Sequence, residues 1–238
     1  MPRNKSDPTP PQLLLLPGFL CDAELWREQI AALTGRVHCQ VGDFSTGQSI
    51  ADLAARVLAT ADPSFALAGF SFGGYVAQEI LRQAPERVTR LALLDSSQRA
   101  DTPEQLARRA QTARAVSRAK LFTGMTRHNL PTFIHPDRLG DQALVARLQA
   151  MNQRLGKQVF LRQNAMARQD GSAVLRRVTC PTLVLCGDGD RLTQPGAVRQ
   201  MAALIPQARF QLIANSGHMT PMEQPAAVAA ALRDWLDW

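Results

Sequence analysis

A serine between glycines marks the segment of this sequence best suited to nucleophilic chemistry. Residues 69–73 are Gly-Phe-Ser-Phe-Gly, a G-x-S-x-G pattern centred on Ser71, and Gly74 follows. The pattern lies between an apolar run at 64–68 and a helix-length amphipathic segment at 72–83. A serine exposed on a tight strand-to-helix turn needs glycines two residues away on both sides, where side chains would clash. Ser71 is therefore the predicted nucleophile.

Histidines are the candidate bases, because a serine hydroxyl is a weak nucleophile at neutral pH until a neighbour takes its proton. The chain contains His38, His128, His135 and His218. Only His218 follows the last predicted strand, on a glycine-containing loop that can present the imidazole at the sheet edge. His38 lies within a predicted strand, where a packing or surface role is expected. The other two fall in a long insertion, where solvation and substrate contact are equally good explanations.

A carboxylate must hold the tautomer of the base and stabilise the imidazolium that forms. Asp190 and Asp188 both follow the fifth predicted strand, and Asp95 ends the fourth. Asp188 is nearer its strand than Asp190, so residue positions alone leave all three aspartates as candidates. The order Ser71, Asp190, His218 is the chain order expected when such a triad is built on a strand-turn-helix nucleophile.

Two backbone N–H groups are the candidates for an oxyanion hole, which must face the negative charge that develops in the reaction. One belongs to Phe72, directly after the nucleophile. The other belongs to Phe19, on the Pro17-Gly18 turn that follows the first predicted strand. A plain turn is the alternative explanation for this Pro-Gly pair.

Strands and helices alternate along most of the chain. Six short apolar runs predict buried strands, at 12–16, 36–41, 64–68, 90–94, 182–186 and 209–214. Helix-length amphipathic segments lie between or after them, at 24–33, 49–61, 72–83, 197–204 and 226–238. Ser49 with Asp52 three residues later resembles a helix cap. The alternation predicts an α/β fold, with a mostly parallel sheet and helices on both faces.

The segment 98–177 breaks this alternation, because it has helical patterns at 103–119, 141–155 and 158–169 but no convincing strand. We interpret it as a helical cap inserted into an α/β core formed by 1–97 and 178–238. The cap is expected over the carboxyl ends of the strands, where α/β proteins place their sites.

Charge is concentrated in the same insertion: residues 99–177 hold 15 Lys and Arg but only 5 Asp and Glu. Such a surface can attract an anionic substrate or an acidic carrier protein, although arginine-rich coding and solvated helix faces would also produce it. Nucleic-acid binding is not expected, since only one Tyr and no interleaved aromatic-basic motif accompany the arginines. The oligomeric state is left open.

The N-terminal segment and the cysteines bear on location. Residues 1–11 are polar and proline-rich, and the apolar stretch 13–16 is too short for a signal-peptide core or a membrane span. A cytoplasmic location without stable membrane insertion is the default expectation. The four cysteines have no metal-ligand spacing and lie in or beside apolar runs, where a reduced cysteine acts as a small apolar residue, so neither structural zinc nor disulfides are expected.

Four segments together resemble the α/β-hydrolase superfamily, in particular its small esterase-like members with a helical cap. They are Leu-Pro-Gly-Phe at 16–19, Gly-Phe-Ser-Phe-Gly-Gly at 69–74, Gly-Asp-Gly-Asp-Arg-Leu-Thr-Gln-Pro at 187–195 and Gly-His-Met-Thr-Pro-Met-Glu-Gln-Pro at 217–225. In that family the acid is usually the aspartate three residues after a strand-ending glycine, which implies Asp190. Departures are Pro17 and Phe70, where histidine is common, and the lack of an antiparallel hairpin before the first parallel strand.

The resemblance implies a serine hydrolase of small to medium carboxylic esters that works through an acyl-enzyme, with no metal and no organic cofactor. The residues expected to contact substrate are Leu20, Phe70, Phe122 and Phe133. An alternative is an anionic substrate bound by the cap, such as an enol-lactone, a diketone cleaved at a carbon–carbon bond, or an acyl-carrier or coenzyme A thioester. A more remote alternative is a non-catalytic binding protein on the same fold.

Overall fold

Six parallel strands form one sheet in a computed structural model that describes residues 10–238. They are β1 Gln12–Leu16, β2 His38–Val41, β3 Phe65–Phe70, β4 Val88–Leu94, β5 Thr182–Gly187 and β6 Arg209–Ile213, and their spatial order is β2-β1-β3-β4-β5-β6. Every neighbouring pair is parallel. This is the parallel α/β sheet that the sequence predicted, and the order reverses between β1 and β3, where the chain crosses over.

Ten α-helices accompany the sheet within the described residues. They are α1 Arg27–Leu33, α2 Ile50–Thr60, α3 Phe72–Gln83, α4 Pro103–Arg118, α5 Leu130–Phe133, α6 Gln142–Ala165, α7 Ser172–Leu175, α8 Pro195–Ala202, α9 Thr220–Glu223 and α10 Pro225–Leu236. The predicted N-terminal capping of α2 by Ser49 is confirmed, since the Ser49 hydroxyl accepts a hydrogen bond from the Asp52 N–H at 3.1 Å. The short helices α5, α7 and α9 were not predicted, because four residues leave no periodic pattern.

Apolar residues cover both faces of the central strands. On β1, Leu13 and Leu15 join the core under α1 and α10, while Leu14 and Leu16 join the core under α2, α3 and α8. Successive side chains of a strand point to opposite faces, so a strand covered on both sides has to be apolar throughout. This is the physical origin of the continuous apolar runs.

The outer strands β2 and β6 are not buried, contrary to the prediction for all six runs. In β2 the residues are half-buried or exposed, and in β6 only Ile213 is buried. Each has a hydrogen-bonded neighbour on one side alone. The apolar runs at 36–41 and 209–214 therefore predicted two strands correctly, but they did not show that these strands lie at the edges of the sheet.

Residues 95–181, between β4 and β5, contain helices and loops but no strand. The two predicted helices at 141–155 and 158–169 are the two halves of α6, which break at Gly156 (φ 76°, ψ −177°) and end at Ala165. None of the helices within 10–238 combines the length and apolar character needed to cross a membrane.

Candidate active site

Ser71 occupies a strained turn between β3 and α3. Its φ of 50° and ψ of −113° lie outside the favourable regions for a residue with a side chain, at a cost of about 1–3 kcal/mol. The end of β4 holds the turn: the Ser71 N–H donates to the Leu94 carbonyl at 2.8 Å, and the Ser96 hydroxyl donates to the Ser71 carbonyl at 2.8 Å. The turn leaves Ser71 only half-buried.

The flanking glycines are required by backbone proximity. A Cβ on Gly69 would lie 2.6 Å from the carbonyl oxygen of Gly73. A Cβ on Gly73 would lie 2.4 Å from the Leu16 carbonyl oxygen and 2.6 Å from that of Pro17. The loop after β1 thus packs directly against the turn that carries Ser71.

His218 faces the serine hydroxyl, with 2.9 Å between its Nε2 and the Ser71 Oγ. The imidazole is buried, and its backbone N–H donates to the Phe133 carbonyl at 2.8 Å. The rings of Phe70 and Phe133 lie beside it, with centroids 5.2 and 6.4 Å away. Apolar walls of this kind keep water from the polar contacts of the imidazole.

Asp190 lies behind the imidazole, with its Oδ2 2.9 Å from the Nδ1 of His218. Its Oδ1 accepts the backbone N–H groups of Leu192 and Thr193 at 2.8 and 2.9 Å, and the Thr193 hydroxyl donates to Oδ2. Burial acts to raise the pKa of Asp190, but attraction to His218 and these hydrogen bonds outweigh it, so the pKa lies below its usual value. The carboxylate form is therefore favoured here.

The two rival aspartates have other partners. Asp188 accepts the backbone N–H groups of Asn215 and Ser216, both at 3.2 Å, and its side chain is exposed. Asp95 accepts the Gly187 N–H at 3.0 Å and the Thr220 hydroxyl. Burial, followed by repulsion from Asp190, raises the pKa of Asp95 well above its usual value. The structure brings neither rival into hydrogen-bond contact with His218.

The other three histidines lie away from the Ser71 hydroxyl. His38 is on the edge strand β2 and His128 is on a loop, and both are exposed. His135 is nearer: a Cβ on Gly189 would lie 2.6 Å from its ring, and its backbone N–H donates to the Glu223 carboxylate at 2.7 Å. That contact joins the segment after α5 to α9, the helix that follows the loop carrying His218.

Asp95, Cys186 and Asp190 are the described residues whose potential metal-ligand atoms lie together, within 4.8 Å of one another. The carboxylate oxygens already accept hydrogen bonds, as described above. Burial, followed by the two nearby carboxylates, raises the pKa of the Cys186 thiol, which disfavours the thiolate that a metal would need. All three groups already have hydrogen-bond partners within the described chain.

Phe19 and Phe72 carry the predicted oxyanion N–H groups. Neither N–H has a hydrogen-bond acceptor among residues 10–238, whereas the next two N–H groups of the first loop do have one. Leu20 donates to Gln163 at 2.7 Å and Cys21 donates to Gly18 at 3.1 Å. The N–H groups of both predicted residues are thus available as donors.

The apolar residues expected to contact substrate divide into two groups. Phe70 and Phe133 lie against His218. Phe122 packs on Phe160, with centroids 5.6 Å apart, and Phe160 packs on the ring of Phe19 at 5.3 Å. Leu20 is buried with φ 54° and contacts the cap through its backbone.

Sequence reasoning missed Phe160, Thr193 and two cap amides, Asn152 and Gln163. The amides are buried on α6, at positions where its apolar face packs on the core. Polar residues among the buried positions of an amphipathic helix were the available signal, since buried polar groups are normally hydrogen-bonded.

A family model described as "Alpha/beta hydrolase family" matches residues 13–231. Among curated proteins, the chain is 28% identical over 248 residues to a pimeloyl-acyl-carrier protein methyl ester esterase from Photobacterium profundum, with 94% of each chain covered.

Solved structures of other proteins superpose on nearly the whole chain. A thermophilic esterase from Thermogutta terrifontis superposes with a TM-score of 0.83 at 27% identity, covering 96% of this chain and 90% of the other. An enol-lactonase from Burkholderia xenovorans LB400 has a TM-score of 0.83 at 22% identity, covering 97% and 92%, and this likeness concerns the fold alone.

Proposed function

The chain belongs to the alpha/beta hydrolase family, and from that premise we propose that it is a serine hydrolase that cleaves carboxylic esters through an acyl-enzyme. The observation that carries the proposal is the line of three side chains, Ser71, His218 and Asp190, joined by two contacts of 2.9 Å each. Likeness to the Thermogutta esterase and to the Photobacterium methyl ester esterase supports ester cleavage in particular.

In the proposed mechanism, Ser71 Oγ attacks the ester carbonyl while His218 Nε2 accepts the hydroxyl proton. Asp190 holds the Nδ1–H tautomer and stabilises the imidazolium. The N–H groups of Phe19 and Phe72 stabilise the oxyanion. His218 then returns the proton to the leaving alcohol, which leaves an acyl group on Ser71. Water, deprotonated by His218, attacks this acyl group; the bond to Ser71 Oγ then breaks, His218 returns the proton to Oγ, and the acid is released.

The substrate proposed is an ester with a small or medium acyl chain. Phe70 and Phe133 line the imidazole, and the Phe122–Phe160–Phe19 stack lies against the loop after β1. Apolar walls of this kind suit acyl chains without charge. A cytoplasmic location belongs to the same proposal and is supported by four free cysteines, which suit a reducing compartment.

Replacement of the nucleophile tests the proposal. We expect Ser71→Ala to lower kcat for p-nitrophenyl butyrate by at least about a thousand-fold while the protein remains folded, because the Ser71 hydroxyl is the group that contacts His218 Nε2. The matched control is Ser64→Ala, which replaces an exposed serine just before β3 and should leave kcat unchanged.

A fluorophosphonate should label the wild type once and Ser71→Ala not at all. Wild-type turnover by Ser71→Ala would refute the hydrolase assignment, and absence of labelling in the wild type would favour a binding protein.

A second candidate is hydrolysis of an ester or thioester attached to an acidic carrier. It is favoured by exposed cations on and beside α4, namely Arg108, Arg114, Arg118 and Lys120, which form no ion pair with a carboxylate in the described part of the chain. Attraction between this surface and an acidic carrier weakens as salt screens it. We expect kcat/KM for an acyl-carrier substrate to fall as NaCl rises from about 20 to about 500 mM, while kcat/KM for p-nitrophenyl butyrate changes little. A flat profile for both would remove this candidate.

A further inference from the structure

The backbone of Leu20 is held from both sides by the cap. Its N–H donates to Gln163 Oε1 at 2.7 Å, and its carbonyl accepts from Asn152 Nδ2 at 3.0 Å. Leu20, Asn152 and Gln163 are 3%, 6% and 1% exposed, so no solvent replaces either hydrogen bond. Both amides lie on α6, one on each side of the break at Gly156.

Leu20 needs such support because its φ of 54° lies in the left-handed region, which residues with a side chain adopt at a cost. Gln163 is itself fixed, since its Nε2 donates to the Phe44 carbonyl at 3.0 Å. Asn152 packs closely on Gly124: the position that a Cβ on Gly124 would occupy lies 2.7 Å from the Asn152 Cβ and 3.3 Å from its Oδ1. The amides therefore act as rigid partners and hold one conformation of the loop.

The two hydrogen bonds hold consecutive peptides: Gln163 holds the one that joins Phe19 to Leu20, and Asn152 holds the one that joins Leu20 to Cys21. Fixing the first of these peptides restricts the backbone of Phe19 and thereby the direction of the Phe19 N–H. Gln163 also occupies the neighbouring Leu20 N–H, while the Phe19 N–H has no acceptor among the described residues. On the other side, the carbonyls of Leu16 and Pro17 already pack against Gly73, so the loop is fixed at both ends.

We infer that Asn152 and Gln163 are positioning residues for the oxyanion hole, holding the Phe19 N–H towards Ser71 from the cap. The inference rests on the proposed serine hydrolase function and assigns the cap a part in the rate of the chemical step. An oxyanion donor acts in the transition state more than in the ground state. Misplacing it therefore lowers kcat and leaves KM nearly unchanged.

The first test replaces Gln163 by an apolar side chain of similar length. We expect Gln163→Met to lower kcat for p-nitrophenyl butyrate about 10- to 100-fold, since complete loss of one oxyanion donor lowers kcat about 100- to 1,000-fold. KM should change less than about threefold. Gln153→Met, at an exposed position of the same helix, is the matched control and should retain wild-type kcat.

A second readout separates positioning from a purely structural role. A trifluoromethyl ketone forms a tetrahedral adduct with the serine and requires the oxyanion hole, so its Kd should rise by the same factor as kcat falls. A variant that is only less stable would unfold at lower temperature yet bind this inhibitor normally once folded. Asn152→Leu supplies an independent variant, and Gln163→Met/Asn152→Leu should lose less than the product of the two single effects, because both amides hold the backbone of one residue, Leu20.

The outcomes distinguish the positioning role of Asn152 and Gln163 from the proposed hydrolase function. If Ser71→Ala is inactive but folded Gln163→Met and Asn152→Leu both keep wild-type kcat and inhibitor affinity, the positioning role is refuted and the hydrolase proposal stands. A rise in KM at constant kcat in both variants would also refute it. If Ser71→Ala keeps wild-type activity, both conclusions fall. Loss of kcat and of inhibitor affinity in parallel supports both.

Discussion

Hydrogen-bond partners distinguish three aspartates that lie close together at the carboxyl ends of β4 and β5. Asp190 reaches the imidazole of His218, whereas Asp188 binds two loop N–H groups and Asp95 binds Gly187 and Thr220. Repulsion between the nearby carboxyl groups of Asp95 and Asp190 disfavours the ionisation of both. Asp190, which faces the imidazole, is the one whose ionised form is favoured. At the scale of residues, the assignment of the acid and the protonation of its neighbour can be tested separately.

Replacing Asp190, the proposed acid, should weaken His218 as a base without changing its position. We expect Asp190→Asn to lower kcat by about ten thousand-fold, because an amide no longer stabilises the imidazolium or selects its tautomer. Asp188→Asn is the control on the same loop and should keep kcat within about tenfold, since it only removes charge from an acceptor of two backbone N–H groups. The measurement is esterase kinetics on folded variants. A large loss in Asp188→Asn with an active Asp190→Asn would transfer the acid role to Asp188.

Asp95 should make stability depend on pH. Its pKa is raised in the folded protein, so between the ordinary Asp pKa of about 3.9 and the raised value the unfolded chain releases a proton that the folded chain keeps. Stability from this group is therefore complete below about pH 4 and is lost as pH rises through the folded pKa.

The neutral isostere Asp95→Asn lacks this titration. We expect its free energy of unfolding to match that of the wild type near about pH 4 and to exceed it increasingly at higher pH, as measured by urea titration. The introduced amide can still accept from the Gly187 N–H and can donate to the Thr220 hydroxyl. A difference that shrinks with rising pH would show that Asp95 is ionised in the folded state.

At the scale of elements, the loop after β1 and the turn between β3 and α3 form one packed unit. Neighbouring strands β1 and β3 are paired in parallel register, with Leu16 opposite Gly69, so both loops leave the sheet at the same edge. The proposed nucleophile, both proposed oxyanion donors and the cap contact at Leu20 all belong to these two loops. Small changes in either loop are expected to affect catalysis and stability together.

Gly73 tests this unit. We expect Gly73→Ala to lower the free energy of unfolding by at least about 2 kcal/mol, because the new Cβ would lie 2.4 Å from a backbone oxygen that cannot rotate away. Gly196→Ala, near the start of α8, is the control: no atom lies within 4 Å of its added Cβ, so stability should change by less than about 1 kcal/mol. Urea denaturation of both variants is the measurement, and equal stabilities would contradict the close packing of the two loops.

At the scale of the whole molecule, the exposed cations and the proposed catalytic side chains lie on different segments of the chain. The catalytic side chains proposed here come from the loops after β3, β5 and β6, while the exposed cations on and beside α4 lie in the segment between β4 and β5. Ion pairs from Arg147 to Glu24 and Glu28, at 2.7 and 2.9 Å, join this segment to the residues around α1. Their partial exposure makes them modest contributors to stability.

A charge reversal on α4 should affect an anionic substrate and spare a neutral one. We expect Arg114→Glu to lower kcat/KM for an acyl-carrier substrate about threefold to tenfold at low salt, through weaker encounter, and to leave p-nitrophenyl butyrate unaffected. Arg233→Glu makes the same change of charge at an exposed position of α10 and is the matched control. Equal effects of the two variants would attribute the loss to net charge and remove α4 as a docking surface.

The sequence by itself determined the alternation of elements and the chemical types at the site. Apolar runs located all six strands because strands covered on both faces must be apolar, and the glycines around Ser71 are required by a turn whose crowding is local. The positions of Ser71, Asp190 and His218 after strands could be inferred because parallel strands end at one edge of a sheet. These features depend on short-range physics that a single segment carries.

Tertiary structure alone decided which strands lie at the edges and how the cap meets the core, and it separated three aspartates that only the family resemblance had ranked. Asp95, Asp188 and Asp190 have the same chemistry and comparable positions after strands, so only the contacts made on folding distinguish them. The pairing of Gln163 and Asn152 with Leu20 spans more than 130 residues of chain and leaves no local pattern. Long-range hydrogen bonds depend on where the chain returns in space, and that is set by the packing of the whole domain.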